Sequence, residues 1–219
     1  MVAAAVGGAV LGSKVLFWLE DPHLTLLNLH DPAYLMGGKT IVGALVLGLI
    51  AVELMKCYLG LTQSTGDLYA IPLALGIAIG RVGCFLTGLT DNTYGVATAL
   101  PWGVDFGDGV RRHPTQIYEI VFLLSLIPVL YWILRVVTRP NASAVGQRRR
   151  FHAGDAFKVF MASYMMLRLL CDFIKPYPRV FRGLGSVQWV CVLCLLYYSR
   201  DILRWAGVSG RAAVSAHSV

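Results

Sequence analysis

Apolar runs of about 20 residues recur six times in this chain, and over such a length in hydrocarbon only a helix or a closed barrel satisfies its own backbone. The runs are Val2–Leu19, Leu35–Leu59, Leu68–Leu89, Gln116–Val137, Ala156–Ile174 and Val187–Ile202. They are continuous rather than alternating, whereas a barrel strand alternates over about ten residues. The predicted fold class is all-α: a polytopic membrane helical bundle of about six transmembrane helices, in a single integral membrane domain over residues 1–219. Composition agrees, because 14% of residues are charged against about 25% in soluble domains. The formal charge of +7 then reads as cationic loops facing anionic headgroups, and no nucleic-acid partner is expected. Met1–Val6 has no positive n-region, which argues against a cleaved signal peptide. Five cysteines, an odd number, predict free thiols.

Orientation follows from the loop cations. Arg135, Arg139, Arg148, Arg149 and Arg150 mark residues 138–155 as a cytoplasmic basic loop, and Arg200, Arg204 and Arg211 put the last segment's end on the same side. Residues 206–219 read as a disordered tail. Loop Glu20–Tyr34 has no Lys or Arg and falls outside, as does the loop at about 90–115, an interfacial or periplasmic element. Lys175, Arg179 and Arg182 dissent, being basic on the outer side. Gly76-x-x-x-Gly80 predicts a close helix approach. There is no internal repeat, so an inverted-repeat transporter gains no support.

This topology places Lys14, Lys39, Arg81, Arg168 and Lys175 toward the outer leaflet. Burying a guanidinium at a helix centre costs about 2.5–3.5 kcal/mol on the most lenient scale. Five cations on the side opposite to the positive-inside rule call for an anion, and a phospholipid phosphate fits. Arg168, Asp172 and Lys175 stand at i, i+4 and i+7, one helix stripe, and Arg81, Cys84 and Gly88 repeat the pattern. Two alternatives stand beside this: Arg168–Asp172 as a self-neutralising pair, and Lys14 and Lys175 as snorkelling side chains. Glu119, one turn into its segment, needs a cation, either Arg81 or Arg168. His113 is a proton carrier or a helix-start residue bonded to its loop. Pro101–Phe106 reads as an amphipathic interfacial stretch. Cys191-x-x-Cys194 lies in an apolar run, and His23, His30 and His152 lack ligand spacing, so no metal or other cofactor is expected. Asn141-Ala142-Ser143 is a glycosylation acceptor on the predicted cytoplasmic side, and no nucleophile elbow or P-loop occurs.

Gly80-Arg81-x-Gly83-Cys84-Phe85-x-x-Gly88, Tyr94-Gly95 and Arg112-His113-Pro114-Thr115-Gln116-x-Tyr118-Glu119 together resemble prolipoprotein diacylglyceryl transferase. Met36-Gly37-Gly38-Lys39 lies where that family has His-Gly-Gly, and the likeness runs on through Arg168–Lys175 to Gly185-Ser186-Val187-Gln188. The resemblance implies a seven-helix pattern and a multi-pass enzyme of the bacterial inner membrane, its active site facing the periplasmic leaflet. Its partners would be phosphatidylglycerol, a prolipoprotein lipobox peptide and membrane lipids. The diacylglyceryl group would pass to the lipobox thiol. By motif, Arg81, Arg168, His113 and Glu119 would be catalytic, with the arginines clamping phosphate. Gly37, Gly38, Lys39, Gly83, Cys84, Gly88, Gly95, Asp172, Lys175 and Gln188 would line the substrate. The chain departs from the family at Met36, in place of histidine, at Cys84, in place of a frequent asparagine, and at Leu89, in place of an acid. The family's first helix has no counterpart before Met1. The alternative function is a non-catalytic phospholipid-binding membrane protein derived from this family.

Overall fold

Hydrocarbon offers backbone groups no solvent to bond, and the described residues are mostly helical. The computed structural model describes residues 1–138, 151–176 and 182–206. Among them run α1 (Val2–Glu20), α2 (Pro22–Leu27), α3 (Pro32–Gly37), α4 (Ile41–Leu59), α5 (Asp67–Thr87), α6 (Thr115–Thr138), α7 (Asp155–Asp172), α8 (Ser186–Tyr197) and α9 (Ser199–Trp205). A 3-10 turn (Gly88–Asp91) and two short strands, β1 (Val104–Asp105) and β2 (Arg111–Arg112), complete the set. Most of the predicted basic loop, residues 139–150, and of the predicted tail, residues 207–219, lies outside the described residues, as does Arg179.

The all-α membrane class stands, with changes at the segment ends. Among the described residues, four helices are long and apolar enough to cross a membrane: α1, α4, α5 with its following turn, and α6. The second run is not continuous. Leu35–Gly37 belong to α3, Gly38 and Thr40 are extended, and α4 starts only at Ile41. The fifth run forms α7, which carries Asp155, Lys158, Arg168 and Asp172. It stops at Asp172, so Lys175 lies beyond the helix and off the stripe predicted for it. The cause is Pro176, which disfavours helical backbone at the residue before it. The sixth run is two helices, α8 of 12 residues and α9, divided at Tyr198.

The chain forms two compact units, Met1–Gln63 with Met165–Cys194, and Ser64–Tyr164 with Leu195–Val219. In the first, α1 packs along α4. A Cβ on Gly12 would stand 2.2 Å from the Gly43 carbonyl oxygen, and one on Gly43 2.1 Å from that of Gly12. The two backbones touch there, so only glycine fits. The predicted approach at Gly76 and Gly80 does not occur, since a Cβ on either would meet no described atom within 4 Å. The Lys14 ammonium donates to the carbonyls of Met36 and Gly38, tying the α3–α4 link to α1. The Ser186 hydroxyl donates to the Leu19 carbonyl, joining the end of α1 to the start of α8.

In the second unit α5 packs on α6. Ala70, Ala74, Ala78 and Arg81 are the buried residues of α5, three small side chains leading to one cation on a single face. Glu119, Leu123, Leu126, Leu130 and Ile133 form the corresponding stripe of α6. The Asp67 carboxylate accepts the amides of Gly154 (2.6 Å) and Phe157 (3.1 Å), capping α7 with a side chain of α5. Asp155, buried, accepts Arg204 Nη2 at 2.7 Å and Trp205 Nε1 at 3.2 Å, which holds α9 to the start of α7.

The loop between α5 and α6 is ordered by a short hairpin. Pro101–Phe106 runs through a turn into β1, which pairs antiparallel with β2, and Ala97 bridges Arg112 on its other side. Asp105 Oδ1 accepts the amides of Gly107, Asp108 and Gly109 at 2.8–3.1 Å. Arg112 grips both carboxylate oxygens of Asp108 at 2.7 Å and lies 5.0 Å from the Tyr94 ring centre.

Candidate functional site

The polarity of this molecule is inverted relative to a soluble one. Leu68, Leu86 and Ile79 are at least 70% exposed, while Arg81, Glu119, Arg168 and Asp172 are buried. Charge inside and leucine outside is the arrangement lipid demands, and each buried charge then needs an explanation.

Arg81 lies near the end of α5. Its Nε donates to Glu119 Oε2 at 2.7 Å, which settles which cation partners Glu119. The Tyr164 hydroxyl donates to the same oxygen at 3.1 Å. Cys84 Sγ is 3.9 Å from Arg81 Nη1. Glu119 has no solvent exposure and Arg81 only 5%. A buried pair of this kind adds little net stability but fixes the plane of the guanidinium, whose N–H fork suits phosphate oxygens.

Polar groups continue beyond the pair. Gln116 Nε2 donates to Thr93 Oγ1 (3.1 Å) and Thr115 Oγ1 to the Thr93 carbonyl, so the start of α6 is bound to the loop after α5. His113 Nδ1 lies 3.1 Å from Tyr118 Oη, which also accepts Trp102 Nε1 at 2.9 Å. The His113 carbonyl accepts the Gly95 amide at 2.8 Å. The backbone of His113 is thus bonded to its loop just before α6. Gly95 is a buried strand-like contact. Gly88 ends α5 at φ 68°, where a side chain is strained, and faces Phe106. Gly83 has open space around it.

The first unit holds the other predicted residues. Arg168, Asp172 and Lys175 are each at most 6% exposed, and Arg168 Nη2 is 3.6 Å from Asp172 Oδ1. That is an ion-pair distance but longer than a hydrogen bond. Gln188, fully buried, accepts the Gly185 amide at 2.9 Å through Oε1 and so caps its own helix. Met36 is 75% exposed and Lys39 is exposed beside it. Gly37 is in open space, whereas Gly38 presses on the Phe17 ring, which explains its lack of a side chain by packing.

Two residues were not anticipated. Tyr164 could have been found from its place four residues before Arg168, one helical turn away. Glu20 closes α1 within electrostatic range of Arg168, Asp172 and Lys175. Its signal was an acid at the outer edge of an apolar run, next to a loop without cations. All five cysteines are thiols outside any disulfide, and among the described residues no group of His, Cys, Asp and Glu has the geometry to hold a metal.

A family model for prolipoprotein diacylglyceryl transferase matches residues 1–199. The phosphatidylglycerol–prolipoprotein diacylglyceryl transferase of Geobacter sulfurreducens is 37% identical over 175 residues, covering 77% of this chain and 58% of that protein. The enzyme of the same name from Bordetella parapertussis is 32% identical over 212 residues, 90% of this chain and 73% of its own length. For that of Clostridium tetani the figures are 30% over 186 residues, 82% and 68%. The chain therefore spans only part of each relative's length. No solved structure matches it.

Proposed function

Because the chain belongs to the prolipoprotein diacylglyceryl transferase family, we propose that it transfers the diacylglyceryl group of phosphatidylglycerol to the lipobox cysteine thiol of a prolipoprotein. It is an integral membrane protein. We place it in the inner membrane of a bacterium, with the reaction in the outer, periplasmic leaflet. The thiolate sulfur forms a bond to the glyceryl carbon, the bond from that carbon to the phosphate oxygen breaks, and glycerol phosphate leaves. Negative charge grows on the leaving phosphate, so pre-placed cations lower the barrier.

The observation that carries this reading is Arg81, buried in an apolar helix and oriented by Glu119 at 2.7 Å, within the stretch by which the chain resembles the family. Arg168 takes the same role in its own unit, with Asp172 and Lys175 around it. Lys39, Gly37, Gly38, Gly83, Cys84, Gly88, Gly95 and Gln188 are assigned to substrate surroundings, and His113 to the polar entrance of α6. Purified protein with labelled phosphatidylglycerol and a lipobox peptide tests the proposal. Arg81→Ala and Arg168→Ala are each expected to reduce transfer about 10²–10³-fold, the loss typical of one charge-stabilising group. Phosphatidylglycerol binding without transfer by the unaltered protein supports the second reading, a non-catalytic lipid-binding protein. Met36, a thioether in the family's histidine position, is what favours that reading.

A further inference from the structure

Transfer to a thiol needs somewhere for the thiol proton to go, because the thiolate is the nucleophile and a free cysteine titrates near 8.5. Met36 takes no proton at neutral pH. Among the described residues, Glu119 and Asp172 lie against the buried cations and are committed to them. Glu119 is fully buried, and its Oε2 accepts both Arg81 and Tyr164. Asp172 is 3% exposed and faces Arg168 at 3.6 Å.

Glu20 differs from both. It is half-buried at the last position of α1, and among the described residues its carboxylate makes no hydrogen bond or ion pair. The charged groups within electrostatic range of it are Arg168 and Asp172 of α7 and Lys175 just beyond. Its backbone is fixed, since the Leu19 carbonyl accepts the Ser186 hydroxyl at the start of α8. A half-buried acid at a tethered helix end, within electrostatic range of Arg168, has the attributes of a general base.

Resting on the transfer reaction above, we propose that Glu20 is the catalytic base for the acceptor thiol. A Glu20 oxygen takes the thiol proton as sulfur bonds to the glyceryl carbon. The electron pair of the breaking carbon–oxygen bond leaves with the phosphate. The proton then passes from Glu20 to the departing phosphate or to water, and the carboxylate is restored.

The test compares the full-length protein with Glu20→Gln and Glu20→Asp, using phosphatidylglycerol vesicles and a lipobox peptide between pH 6.5 and 9.5. Glu20→Gln keeps the shape and cannot accept the proton. Its kcat is expected to fall about 10²–10⁴-fold at pH 7, with phosphatidylglycerol binding retained. The deficit should shrink toward pH 9.5, where water alone ionises the thiol, and Glu20→Asp should recover part of the rate. Transfer by Glu20→Gln at the full rate overturns the proposal. A deficit that is the same at every pH also overturns it, because it assigns Glu20 a structural role. An unaltered protein that transfers nothing defeats the transfer reaction itself, and Glu20 as its base falls with it.

Discussion

At the scale of single residues the Arg81–Glu119 pair dominates. Removing one member of a buried pair leaves the other uncompensated and costs about 3–5 kcal/mol, whereas replacing both with apolar groups is often neutral. Glu119→Gln is therefore expected to lower the Tm of purified protein sharply. The double variant Arg81→Met, Glu119→Leu should regain most of that stability and still fail to transfer, a pattern that separates fold from chemistry. If Glu119→Gln melts like the unaltered protein, the pair does not hold α5 to α6. Arg81 was legible in the sequence because a charge in an apolar run has few innocent explanations. Glu119 was half legible, since its need for a cation was evident but two arginines answered it. Glu20 and Tyr164 were missed because each ends or interrupts an apolar stretch in an ordinary way. Their importance comes from neighbours that are remote in the chain.

At the scale of elements, glycine spacing was readable and its meaning was not. The same Gly-x-x-x-Gly logic suits many pairs, and only the fold shows that Gly12 and Gly43 meet while Gly76 and Gly80 face open space. Gly43→Val should abolish stable α1–α4 packing, seen as loss of folded protein in detergent. Gly76→Ala should be tolerated or stabilise by up to about 1 kcal/mol, the helix-propensity gain. The hairpin of the outer loop escaped the sequence reading because its strands are two residues long and its order comes from carboxylates. The Arg112 hydrogen bonds hold the Asp108 carboxyl below its ordinary value, and those to Asp108 raise Arg112 in turn. With the folded value depressed, the stabilisation is complete above the ordinary aspartate value of about 3.9. It is lost as pH falls through the lower folded value. Amide exchange at Gly107–Arg112 should thus stay protected from neutral pH down to about 4 and accelerate below it. Asp108→Asn should show the fast exchange at every pH.

At the scale of the whole molecule, the membrane class was legible because hydrocarbon constrains composition so strongly. Segment ends were less so, since Pro176, Gly38 and Tyr198 break runs that hydropathy averages across. Orientation yields its own prediction. Cys57 is exposed near the end of α4, which the loop cations assign to the cytoplasmic face. A variant with Cys57 as its sole cysteine should react with a membrane-impermeant maleimide in inverted vesicles and not in spheroplasts, and the opposite labelling would reverse the topology. The ion pair between α5 and α6 also bears on biosynthesis. Arg81 emerges 38 residues before Glu119, a lag of roughly 2–8 s at ribosomal rates of about 5–20 residues per second. During that interval the arginine lacks its carboxylate. The two helices are then best inserted as one hairpin, and a pause between them would leave the nascent chain dependent on the insertion machinery to shelter the guanidinium.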